Sequence, residues 1–77
     1  VLSAPGVRSA SVFDRLTPRE LQLVRLVATG AANAQIARQF SVADKTVRNQ
    51  LSTLLVKVGA SDRVQLALMA KDAGLLD

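Results

Sequence analysis

The chain has no cysteine, histidine, tryptophan or tyrosine among its 77 residues. Without cysteine there can be neither a disulfide framework nor a thiolate metal site. Without histidine the commonest acid–base side chain and the commonest metal ligand are both missing. Two phenylalanines are the only aromatics, which argues against a β-sheet, since strands draw on aromatic and β-branched residues. No apolar run approaches the roughly 20 residues of a membrane-spanning helix, and no signal peptide is visible, so the chain reads as soluble and cytoplasmic. Acids are few as well: 6 Asp or Glu face 10 Lys or Arg, a net charge of +4, which on so small a domain favours an anionic partner. What is abundant is Ala, Leu and Val. Apolar residues make up 49% of the chain, a mixture suited to an all-α domain with a modest aliphatic core. The chain begins at Val1 rather than at a methionine and is expected to be a piece of a longer protein.

Residues 1–15, "VLSAPGVRSASVFDR", are rich in Ser, Ala, Pro and Gly without a sustained period. They read as a partly disordered linker whose last residues, Val12 and Phe13, dock on the domain that follows over residues 16–77. The stretch "LTPRE" is a helix start: Thr17 caps, Pro18 fits the first turn and Glu20 reaches back to the cap. Leu16 and Leu21 are placed as a hydrophobic staple. The first helix runs to about Thr29 and stops at Gly30, and its apolar residues nearly encircle it, as befits the middle of a bundle. A short second helix covers about 33–40, with Ile36, Ala37 and Phe40 inward. The run "SVAD" leaves room only for a tight turn before a third helix from about Asp44 to Lys57, ended by Gly59. Asp62 caps a fourth helix with Gln65 as its reciprocal partner, and Gly74 closes it.

Two short helices joined by a tight turn, the second longer and basic outside, make a helix-turn-helix. At 100° per residue, Val47, Leu51, Leu54 and Val58 of the third helix share one stripe. Lys45, Asn49, Ser52 and Val56 share the opposite arc, with Arg48 at its edge. A DNA major groove admits one helix, and its base edges suit these side chains. Arg48 matches guanine and Asn49 adenine; Lys45 can take guanine or phosphate, and Ser52 is short enough for close approach. No acid lies on the arc, and Asp44 sits at the helix start where it suits the dipole. A merely solvated face is the competing reading.

The run "LTPRE", then "ATGAANAQIARQF", then "KTVRNQLSTLLVKVGASDR", resembles the LuxR/NarL-type helix-turn-helix domains that end many bacterial transcription regulators. The similarity covers about Leu16 to Leu75 with the motif elements in order. It implies a four-helix domain that inserts its third helix into the major groove of double-stranded DNA. By position it implies base contacts from Lys45, Arg48 and Asn49, with Ser52 one turn on, and phosphate contacts from Thr46 and Lys57. For Thr46 a bond to its own backbone is an equal alternative; for Lys57 the alternative is complementing the helix dipole. Glu20 reads as structural, through its cap. Ala32 and Ala43 depart from the family, which usually places Ser caps there; Asn33 and Asp44 could substitute by shifting each helix start.

The fourth helix is apolar on two sides, one with Val64, Ala67, Leu68 and Leu75, the other with Leu66, Met69, Ala70 and Ala73. A small domain buries one well, so the other suggests a contact. The family commonly pairs this helix with its symmetry mate on an inverted repeat. Val64, Leu68 and Lys71 are therefore expected to line a homodimer contact, with Leu66 and Ala70 inward; a covering linker is the alternative. The resemblance also implies an upstream regulatory domain, either a phosphorylatable receiver or a ligand-binding domain. A sigma-factor promoter-binding region shares the "LTPRE"-like start, but "TVRN" and "GASDR" favour the regulator. A protein-interaction module that kept the fold without reading DNA is the reading from a different class. An enzyme is the weakest, for no acid–base pair, activated nucleophile or phosphate loop is visible. No cofactor or metal is expected.

Overall fold

In the computed structural model, residues 13–75 are described. They form α1 (Pro18–Ala28), α2 (Asn33–Phe40), α3 (Asp44–Val58) and α4 (Arg63–Asp72), with no strand among the described residues. Most of the expected linker, including Val12, lies outside them. Phe13 is 5% exposed, and its carbonyl accepts from Leu16 N at 3.1 Å. The packed unit thus includes Phe13, ahead of Leu16.

Each helix end has a local cause. Thr17 Oγ1 accepts from Glu20 N at 3.1 Å while Glu20 Oε1 accepts from Thr17 N at 2.9 Å, the reciprocal box that satisfies two otherwise unpaired donors. At the far end of α1 the chain reverses through Gly30 at φ 90°, a conformation that costs glycine little. Ser41 takes the same left-handed turn at φ 58° without being glycine. That strain, about 1 kcal/mol, is offset as Val42 N closes on Ala37 O at 2.9 Å, folding α2 back towards α3.

The starts of α2 and α3 differ from expectation. Their N-caps are Ala32 and Ala43, both extended, with no side-chain acceptor. Asn33 and Asp44 are already the first helical residues, so neither shifts the start. Half a box survives at α2, where Gln35 Oε1 accepts from Ala32 N at 2.9 Å. At α4 the cap is as expected, Gln65 N donating to Asp62 Oδ1 at 2.8 Å. The return bond is not: Gln65 Oε1 accepts from Ser61 N rather than from the cap's own N–H. Asp62, at φ −159° and ψ 179°, is extended enough to bring the preceding amide within reach.

α1 packs against α4, α2 against α3, and α3 against α4. Val24, Ile36, Val47 and Leu66 are completely buried where these contacts meet. Each such aliphatic side chain contributes about 1.5–3 kcal/mol of transfer free energy. No polar or charged residue is buried among the described residues. The core is therefore held by apolar contact, and ion pairs stay outside it.

Candidate nucleic-acid interface

α3 carries the division read from its sequence. Val47, Leu51, Leu54 and Val58 are between 0% and 7% exposed. Lys45, Arg48, Asn49 and Ser52 are exposed, and Val56 is 82% exposed. Burying one stripe leaves the opposite arc no choice but to face outwards. From Lys45 to Ser52 the arc spans roughly 10 Å of helix, about the length of three stacked base pairs.

The two residues expected at phosphates stand differently. Thr46 is half-buried, and its hydroxyl makes no hydrogen bond among those of the described residues. Lys57 is engaged: its Nζ lies 2.9 Å from Glu20 Oε1, a pairing across 37 positions that neither helix announces by itself. Glu20 therefore has two duties, since the same oxygen accepts from Thr17 N. The Thr17 backbone N–H and then the Lys57 ammonium hold its carboxyl below the ordinary value of 4.5. Both stabilise the charged form.

Beside the arc, α1 and α3 enclose an open cleft of about 280 Å³. Thr17, Arg19, Glu20 and Leu23 form one wall, and Asn49, Gln50 and Thr53 the other. Arg19 is steadied by its guanidinium, whose Cζ lies 4.6 Å from the centre of the Phe40 ring, within cation–π range. Thr53, which periodicity places at the edge of the arc, lines the cleft with Asn49 and Gln50, and Arg19 of α1 faces them across it, a neighbour that periodicity within α3 did not single out. The proximity of Arg19 depends on how α1 lies against α3.

A second unforeseen contact ties the two halves together. Arg63 Nη1 donates to Asn33 Oδ1 at 2.8 Å and Nη2 to Ala31 O at 3.1 Å, both partly buried. The bonds join the first residue of α4 to the start of α2, and they use the Asn33 side chain that was expected to cap.

The outer face of α4 is of another kind. Leu66 and Ala70 are 0% exposed, whereas Val64 is 66% and Leu68 59% exposed. Lys71 is exposed beyond them, and Leu75 turns partly inward against the core. Among the described residues no group of His, Cys, Asp or Glu could hold a metal ion. No described helix is long and apolar enough to cross a membrane.

Comparison with known proteins agrees with this arrangement. Residues 14–70 match the model for "Bacterial regulatory proteins, luxR family". The response regulator protein VraR of Staphylococcus aureus is 32% identical over 69 residues, covering 90% of this chain and 33% of the relative. VraR of Staphylococcus epidermidis matches with the same identity and coverage. The chain spans about a third of the length of these curated relatives. Four helices in this order, the turn at Ser41 and the match over residues 14–70 lead to one conclusion: the chain belongs to the luxR family of bacterial regulatory proteins, and the described residues form its helix-turn-helix domain.

Proposed function

We propose that the domain binds double-stranded DNA sequence-specifically, as the effector part of a longer bacterial transcription regulator. The observation that carries this reading is the arc of Lys45, Arg48, Asn49 and Ser52, exposed as one surface while the other side of α3 is wholly in the core. Set into a major groove, Arg48 donates in bidentate fashion to guanine and Asn49 pairs with adenine. Lys45 takes guanine or phosphate, and Ser52 lets the helix approach closely. Thr46 and Lys57 hold the backbone on the α1 side and fix register without reading sequence.

A second copy pairs through Val64, Leu68 and Lys71 of α4, so that two domains address an inverted repeat. The exposed aliphatic pair on α4 supports this contact. The patch is small, so pairing relies on DNA to hold both copies close. The controlling domain lies upstream, joined through residues 1–15. The response-regulator relatives, of which this chain covers 33%, support a further domain in the longer protein.

Selection of bound duplexes from a random pool at moderate salt tests the reading. An enriched inverted repeat is the expected result. A single enriched half-site would retain DNA reading and remove the α4 dimer. No enrichment, with only weak salt-driven binding, would favour a protein-interaction module.

A further inference from the structure

Lys57 is the one proposed phosphate contact that is engaged among the described residues, and its partner is itself held by the α1 cap. Glu20 Oε1 is held 2.9 Å from Thr17 N by the α1 cap and 2.9 Å from Lys57 Nζ. Glu20 also lines the cleft shared with Asn49 and Thr53, and among the described residues it is the only acid there. A backbone strand passing on the α1 side of the reading arc meets an ammonium and a fixed carboxylate together. Lys57 keeps donors to spare, since an ammonium has three. Its charge, however, is offset by the Glu20 carboxylate 2.9 Å away.

We infer that Glu20 limits the sequence-independent DNA affinity of this domain by neutralising Lys57 beside the phosphate path. This rests on the DNA reading above. The cap positions the carboxylate beside Lys57, and the carboxylate damps the cation. A single copy then gains about one phosphate contact less from the backbone than its cations would otherwise allow.

Glu20→Gln separates the two duties of the residue, because a glutamine at this position still completes the capping box. Circular dichroism melting of the 77-residue chain checks that the fold is kept. Binding is then measured by fluorescence anisotropy over a salt series, on the selected duplex and on a scrambled one. Glu20→Gln is expected to tighten both by roughly two- to fivefold at low salt. It also steepens the dependence of log affinity on log salt by about one, as one more phosphate contact does. In a Lys57→Gln background the same change leaves the slope where it was, because no cation is released.

Two outcomes overturn the inference while leaving the DNA reading intact. In one, the parent binds the selected duplex and folded Glu20→Gln behaves identically, so Glu20 is a cap alone. In the other, the slope steepens equally without Lys57, so the pairing is irrelevant. If the parent binds neither duplex with any salt dependence, the DNA reading itself fails and takes this inference with it.

Discussion

Helices α3 and α4 each bury one stripe and expose another, yet what they expose differs in kind. α3 presents hydrogen-bonding and cationic groups at Lys45, Arg48, Asn49 and Ser52, whereas α4 presents aliphatic surface at Val64 and Leu68. Both exposed faces are what remains after the same core has been filled, so exposure by itself says nothing about purpose. The chemistry left outside is what discriminates. Polar groups on α3 lose nothing by facing water and can match base edges. Val64 and Leu68 gain only when covered.

The largest expected effect sharpens the contrast within α4. Leu66→Ala should destabilise the domain by about 2–5 kcal/mol. Leu68→Ala, two positions along and outward, should stay within about 0.5 kcal/mol. Urea denaturation of both variants measures the difference. Equal losses would mean that Leu68 is covered in the free chain and would erase the distinction between the two sides.

Next comes the α3 face. Arg48→Ala should weaken binding to the selected duplex by about 1–3 kcal/mol and relax preference at one base pair, with stability unchanged. Repeating the pool selection with the variant reads both quantities. If affinity and preference stay as they were, the arc is only a wet surface and the comparison with α4 collapses.

The smallest effect concerns the start of α3. Ala43 has extended N-cap geometry but no side-chain acceptor. Ala43→Ser should therefore stabilise the domain by about 1 kcal/mol, seen as a higher urea midpoint. If DNA affinity falls as stability rises, the uncapped amides of α3 are themselves phosphate donors.

The comparison also separates what was legible in the sequence from what was not. Thr17 with Glu20, Gly30, Gly59 and the Val47–Leu51–Leu54–Val58 stripe all act within one turn or one helix, so spacing reveals them. The inward set on α4, Leu66 and Ala70, follows in the same way. Lys57 with Glu20, Arg63 with Asn33, and Arg19 over Phe40 were not legible. Each joins different helices, and no repeat within a helix encodes the angle at which two helices cross. The substitute caps at Asn33 and Asp44 were misjudged for a related reason. A capping residue one place late would have to leave the helix, and at α2 the Asn33 side chain is already committed to Arg63. Gln65 shows how narrow the margin is, its return bond landing one amide earlier than a box requires.

The clean split of α3 has a bearing on how such a domain can change over generations. No residue on its outer arc takes part in the core, and no core residue of α3 reaches the arc. Exchanges at Arg48, Asn49 or Ser52 should therefore leave the stability of the scaffold nearly unchanged and, on the proposed reading of this arc, alter which target is recognised. The same independence invites engineering. A library randomised at those positions should yield mostly folded members, so a screen would sort them by recognition rather than by survival.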